Sequence, residues 1–313
     1  MKPVISVIIP AYNRENKIHI ALNSLLNQTF RNFEVIIVDD GSVDRTADVI
    51  QKYTRIDARF KYIFQENKGV SSARNRGIKE AKGDYVSFLD SDDFYEATFL
   101  EKMYLKIKEK KADVCYCSYL NVTPKGKFPT KTIFKEGDIL IEYVLGKIKI
   151  HTTSWLINRD FIILNNLRFP MNISWGEDIE FFSEVLSKTN KVCFVNEHLT
   201  NYVQEDNESN LSSFSLDKLD KDFESVKRMC QKLEADKNRK LKKALINYRL
   251  SALVTYRLLL AINKGYNRKE IINYYGKYKN HILKFNFNNG LRSWKLNYNK
   301  VLLIYKLNKL KMS

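Results

Sequence analysis

The chain predicts an α/β fold, a doubly wound and largely parallel sheet, followed by a helical and strongly basic C-terminal region. Three observations carry that expectation. Apolar runs without polar alternation, Val4 to Ile9 and Phe33 to Val38, read as strands buried on both faces, as parallel sheets require. Segments with apolar residues at helical spacing separate the runs, so strand and helix alternate. The third observation is charge. From Leu211 onward there are 24 Lys and Arg against 7 Asp and Glu, which accounts for the whole net charge of +17. That shift divides the chain into an expected domain at 1–210 and an accessory region at 211–313.

Taken in order, the first strand ends at Pro10, and Ile18, Leu22, Leu25 and Leu26 then recur on one helical face. Phe33 to Val38 runs into Asp39-Asp40-Gly41-Ser42, with a helix from Thr46 to Tyr53 behind it. Phe60 to Phe64 is a third strand, and Gly69 to Ala81 a helix entered through glycine and two serines. Gly83 admits the strand Tyr85 to Leu89, which leads directly into Asp90-Ser91-Asp92-Asp93; Thr98 to Lys110 follows as a helix. Ala112 to Leu120 reads as a strand and Asn121 to Lys127 as a turn around Pro124 and Gly126. Further on, Gly176-Glu177-Asp178 opens a segment whose Ile179, Phe182, Val185 and Leu186 share a helical face.

Ligands of such sheets bind at the carboxyl ends of the strands. Three of those ends are polar in ways that packing does not require: Pro10-Ala11-Tyr12-Asn13, Asp39-Asp40-Gly41-Ser42 and Asp90-Ser91-Asp92-Asp93. The last gathers three acids within four positions, the oxygen donors that Mg2+ or Mn2+ takes. No G-x-G-x-x-G follows the first strand and no G-x-x-x-x-G-K-S/T occurs, which argues against a dinucleotide oxidoreductase and a P-loop enzyme. A diphosphate bound without a glycine cradle needs a cation to neutralise it. Asp178 has two readings, because an acid is favoured in the first turn of a helix whether or not it reacts.

Cys115, Cys117, Cys193 and Cys230 show no zinc spacing and are expected to be reduced thiols of a cytoplasmic protein. Met1-Lys2-Pro3 leads into an apolar strand with no cleavage site, so no signal peptide is expected. Neither is a membrane span, since the best candidate, Leu250 to Ile262, is interrupted by Arg257.

Four stretches in order, Ile5 to Asn13 (ISVIIPAYN), Val38 to Thr46 (VDDGSVDRT), Asn67 to Asp93 (NKGVSSARNRGIKEAKGDYVSFLDSDD) and Phe169 to Phe182 (FPMNISWGEDIEFF), resemble the family 2 inverting glycosyltransferases of the GT-A fold, of the bacterial cell-surface polysaccharide type. The resemblance implies a Rossmann-like GT-A domain that moves one hexosyl or N-acetylhexosaminyl group from a nucleotide-sugar, a UDP-sugar by preference, to a glycan or polyprenyl-diphosphate-linked acceptor. It implies that Pro10, Tyr12, Asn13, Asp40, Arg74, Asp90 and Ser91 hold the nucleotide, with Tyr12 stacking and Asp40 accepting from the base. Asp92 and Asp90 would hold Mn2+ or Mg2+, with Asp92 the direct ligand; Asp178 would be the general base and Glu177 its neighbour. Trp155 and His151 fall where acceptors are met, although a core position suits Trp155 equally. The chain departs from the family at Asn201 to Asn207, where no basic or histidine-bearing closing loop is visible, and His198 reads as structural. A sugar-phosphate nucleotidyltransferase is the enzymatic alternative, without the G-x-G-T-R loop of that class; a non-catalytic glycan- or membrane-binding module is the other.

The basic region, with 19 Lys and Arg and a single acid, Glu270, from Lys237 on, combines helical spacing at Leu241 to Ile262 and Val301 to Leu310 with interspersed aromatics. A solvated dimerising domain, a contact to an anionic membrane at the inner face of the cell membrane, and nucleic-acid binding remain open, the last without any recognition fold to support it.

Overall fold

The computed structural model describes residues 2–204, 214–285, 287 and 290–312. The chain forms two compact units, Met1–Asp206 and Asn207–Ser313. In the first, strands β1 (Ile5–Ala11), β2 (Phe33–Asp40), β3 (Phe60–Gln65) and β4 (Tyr85–Phe88) run parallel in the order β3-β2-β1-β4. Helices α1 (Ile18–Leu26), α2 (Thr46–Ile56) and α3 (Val70–Glu80) make the crossovers. Every residue of β1 and β2 is buried, as unbroken apolar runs demand. Helix α1 turns Ile18, Ala21, Leu22 and Leu25 inward, the stripe its spacing predicts.

The unit continues through β5 (Phe94–Tyr95), α4 (Phe99–Lys110), β6 (Val114–Thr123), β7 (Gly126–Pro129), α5 (Leu140–Val144), β8 (Trp155–Asn158), α6 (Arg159–Leu164), α7 (Glu177–Ser187) and β9 (Val192–Val203). The full sheet order is β3-β2-β1-β4-β8-β6-β9-β5, with β7 beside β6. The parallel pairing holds across β3-β2-β1-β4 and between β6 and β9, whereas β8 is antiparallel to both its neighbours. A buried run does not record its direction, so the reversal could not be read from residues alone. The expected turn at Asn121 to Lys127 tightens to a hairpin in which Thr123 pairs with Gly126. Likewise Asn201 to Val203 is strand rather than loop; Glu205, Asp206 and Asn207 lie outside the described residues.

One feature of the sheet positions a site. Strands β1 and β4 stay paired only from Ile5 with Tyr85 to Ile8 with Phe88, while β1 follows β2 as far as Ala11 with Asp39. The strand order reverses between β1 and β4, and a crevice opens there at the carboxyl ends. Helix α3 is pressed onto β1 beneath it: a Cβ added at Gly77 would lie 2.3 Å from Cγ2 of Ile8. That close approach needs glycine, and it sets Arg74, one turn earlier, against the crevice.

The second unit is helical: Lys218–Lys232, Arg239–Asn263 with a π-type stretch at Lys243–Leu250, Arg268–Leu283 and Leu291–Met312. Helix Arg239–Asn263 is long and apolar enough to cross a membrane, and 44% of its most apolar window is buried within the protein. Its Arg257 pairs with Asp222 of helix Lys218–Lys232, a buried ion pair inside the unit.

Candidate active site

On the β1 side of the crevice the backbone is tied down and one ring is left out. Asn13 adopts a left-handed φ of 51°, donates its N–H to Oγ of Ser42 at 2.9 Å, and accepts from the N–H of Val43 through Oδ1 at 3.0 Å. The N–H of Arg14 reaches Oγ1 of Thr46 at 2.7 Å. These bonds lock the turn after β1 to the turn after β2. Pro10 stays buried in the strand, and Tyr12 is 45% exposed, its ring available for stacking. Buried Asp40 accepts from the N–H groups of Lys68 at 2.9 Å and Gly69 at 2.7 Å and from Nε2 of Gln65 at 2.7 Å. Its carboxylate thereby fixes the loop that enters α3, using three of about four acceptor positions.

On the β4 side the organising residue is Arg74. Its guanidinium is buried, donates to Oδ1 of Asp90 at 2.8 Å and to Oε1 of Glu177 at 3.2 Å, and lies 5.1 Å from the centre of the Phe169 ring. Arginine suits this position because its rigid fork can serve two carboxylates while its face meets an aromatic. Glu177 is 103 positions away in sequence, so this contact joins the end of β4 to the head of α7. Gly176, at a φ of 83°, precedes that helix, and half-buried Asp178 in its first turn accepts from the N–H of the next residue, Ile179, at 2.6 Å. The amide of Asn75 adds a second tie, bonding both the O and the N–H of Phe169 at 2.9 Å.

Protonation in the cluster follows from crowding. Burial alone would raise the Asp90 carboxyl, but Arg74 and His151 outweigh it and hold it below its ordinary range. Asp92 is pushed up by burial and by Asp90, and Asp93 well above its usual value by burial, Asp90 and Asp92. Glu177 rises through burial and its neighbour Asp178. His151 is lowered by burial, with Asp90 pulling the other way. Burial would lower Arg74, yet Asp90, Glu177 and Asp178 keep its guanidinium firmly charged.

The donor set fits a divalent cation. Asp90, Asp93 and His151 each bring a ligand atom within 4.8 Å of the others. Among the described residues, Oδ2 of Asp93 accepts no hydrogen bond although the residue is 1% exposed, and Nδ1 of His151 lies 3.5 Å from it. A buried carboxylate oxygen without a donor is costly, and a cation would satisfy it. Two carboxylate oxygens and one imidazole nitrogen are a donor set that can hold a divalent metal ion. Asp92 points elsewhere, its Oδ2 lying 3.9 Å from Arg14 across the crevice.

Ser91 is buried beside the acids. His151 joins them, packed on Tyr202 at 4.5 Å between ring centres, rather than facing outward. Of the two positions open to Trp155, it takes the core one rather than the acceptor one: it has no exposed surface and stacks on Phe182 at 4.5 Å, so its face is not free for a sugar. His198 Nε2 contacts the carbonyl of Thr130 at 3.3 Å, in keeping with a structural position. Asp93, whose Oδ1 accepts from the N–H of Val203 at 2.9 Å, was not singled out by the D-x-D spacing. The signal for it was the third acid of the same short run.

Residues 6–169, more than half of the chain, match the family model described as glycosyl transferase family 2. Putative glycosyltransferase EpsH of Bacillus subtilis is 35% identical over 195 residues, covering 58% of this chain and 55% of EpsH. The cholesterol galactosyltransferase of Borreliella burgdorferi is 34% identical over 215 residues, covering 63% of this chain and 60% of that protein. The chain thus spans little more than half the length of these relatives. A crystal structure of S. aureus TarS 1-349 in complex with UDP-GlcNAc superposes with a TM-score of 0.73 at 22% identity, covering 99% of this chain and 91% of that one. This last likeness is one of fold.

Proposed function

The chain belongs to glycosyl transferase family 2, and from that premise we propose that it is an inverting glycosyltransferase that moves one sugar from a nucleotide-sugar, a UDP-sugar by preference, to a hydroxyl of a cell-surface or lipid-linked glycan. The observation that carries the reading is Arg74, which binds the acidic end of β4 and the head of α7 at once. An inverting displacement needs a leaving-group clamp and a base on opposite sides of one carbon, and this contact supports both halves being held in one crevice.

Tyr12 would stack on the base, Asp40 would accept from its ring N–H with the position left open to it, and Pro10, Asn13 and Ser91 would shape the strand ends around the ribose. Asp90, Asp93 and His151 would hold Mn2+ or Mg2+, with Asp92 beside them, and a bound cation supplies positive charge to stabilise the departing diphosphate. The acceptor oxygen bonds to the anomeric carbon as the bond from that carbon to the diphosphate oxygen breaks. Its electron pair leaves with the diphosphate, and the hydroxyl proton passes to Asp178. Glu177, anchored on Arg74, would hold the start of α7 so that Asp178 faces the acceptor. The sugar is read as a hexosyl or N-acetylhexosaminyl group.

We assign the reaction to the cytoplasmic side of the membrane, in keeping with cysteines that are all free, and the helical unit to keeping the enzyme beside a polyprenyl-diphosphate-linked acceptor. Pairing of two copies is the alternative role for that unit. The test is hydrolysis of a panel of nucleotide-sugars with and without Mn2+. Cation-dependent release of UDP from one of them is expected, and no hydrolysis of any would leave a non-catalytic binding module instead.

A further inference from the structure

The last helix, Leu291–Met312, has two faces of different character. Leu296, Leu303 and Leu307 are buried with Ser293 and Lys300 on one side. The other side carries Leu291 at 87% exposure, Trp294 at 65%, Tyr298 at 68%, Val301 at 55% and Tyr305 at 55%. These five recur at alternating steps of three and four residues, so they form a single stripe along the helix. Phe287, 64% exposed, extends it with its ring edge-on to Trp294 at 6.0 Å. Isolated exposed hydrophobics need no explanation, whereas a contiguous stripe rich in Trp and Tyr does.

The charge beside the stripe identifies what covers it. Lys295 and Lys309 are exposed on its flank, the latter with Nζ 4.8 Å from the Tyr305 ring centre. No Asp or Glu follows Glu270 in the sequence, so nothing acidic on this helix answers these lysines. A second copy docking through the stripe would set lysine against lysine, where paired helices need opposite charges. Three of its five positions, Trp294, Tyr298 and Tyr305, are also aromatic, the choice found where one side chain must meet both hydrocarbon and water.

We propose that this face of the last helix is the membrane-binding surface, lying in the headgroup layer of an anionic bilayer with the aromatic stripe inserted and Lys295 and Lys309 on lipid phosphates. The inference deepens the assignment of the helical unit given above and is independent of the transfer chemistry. It also gives that assignment a direction, since only one face of one helix would touch lipid.

The experiment is co-sedimentation of the full chain with vesicles of phosphatidylcholine alone, or with 30% phosphatidylglycerol, at 0.15 M salt. Binding is expected only with the anionic lipid. The double variant Lys295→Gln/Lys309→Gln should bind about twenty-five-fold more weakly, from roughly fivefold for each lysine near the surface. Trp294→Ser/Tyr298→Ser should bind at least about tenfold more weakly. All four positions are exposed, and nucleotide-sugar hydrolysis in solution should be the same in both variants as in the parent, which separates failure of this surface from failure of the enzymatic reading. Vesicle binding within twofold of the parent in both variants would overturn the proposal. So would a dimer in sedimentation that Trp294→Ser/Tyr298→Ser dissolves, which points to a second copy, or binding to a single-stranded oligonucleotide that vesicles do not displace.

Discussion

Arg74 in the α/β unit and Lys300 in the helical unit are both buried cations, and their surroundings treat them in opposite ways. Arg74 is held by Asp90 and Glu177 and stays charged. Lys300 has no exposed surface, donates to the carbonyl of Lys284 at 2.5 Å, lies 5.9 Å from the Phe285 ring centre, and is pushed down to about 8 by burial. The difference teaches what each unit is built for. A charge buried among acids at a strand-end crevice ties two distant elements together, whereas a lysine buried against a carbonyl and a ring is tolerated for the packing of its stem.

The largest expected effect tests whether the Arg74 contact serves a reaction. Asp178→Asn should reduce transfer by roughly 10²–10⁴-fold while calorimetry shows UDP affinity nearly unchanged. Near-normal turnover would sink the assignment of Asp178 as base and leave the contact purely structural. Next, Arg74→Met should destabilise the α/β unit by about 3–5 kcal/mol in urea unfolding, because Asp90 and Glu177 would remain half-buried without their counter-charge. If stability barely changes, Arg74 is no more than Lys300 is.

A sharper test lies within the acidic run. Asp93→Asn should remove the cation dependence of UDP binding, and Asp92→Asn should weaken it, both followed by titration calorimetry with and without Mn2+. The reverse order would restore Asp92 to the role that its D-x-D position suggests. The smallest effect is on the other cation. Lys300→Met should stabilise the helical unit at pH 7 by about 1–2 kcal/mol, after allowing for the lost bond to Lys284. The sign follows from linkage: the folded value, about 8, lies below the ordinary lysine value of 10.5, so the unfolded chain binds more protons between the two. Parent stability should therefore rise from about pH 8 towards 10.5, closing the gap to Lys300→Met, as thermal unfolding across that range would show.

Much of the fold was legible because local chemistry records it. Continuous apolar runs announced β1 and β2, and the spacing of Ile18, Leu22 and Leu25 announced the inward face of α1. The direction of β8 was not legible, since a buried strand has the same residues either way. In the site, the acids at Asp90 to Asp93 and the Glu177-Asp178 pair stood out by composition. Their partners did not: His151 carries no local mark that it turns towards Asp93, and Trp155 reads the same on a sugar as in a core.

What the sequence determined by itself was which strand ends are polar and acidic, because these follow from neighbouring residues, and the placing of all surplus charge in the last third of the chain. What only the tertiary structure decided was which groups meet. Arg74 reaches Glu177, and Asp93 rather than Asp92 gathers with Asp90 and His151. Such contacts depend on how separate elements pack, here on Gly77 letting α3 lie against β1 and on β4 parting from β1 after Ile8. No spacing along the chain encodes that distance; it arises only when the sheet is assembled.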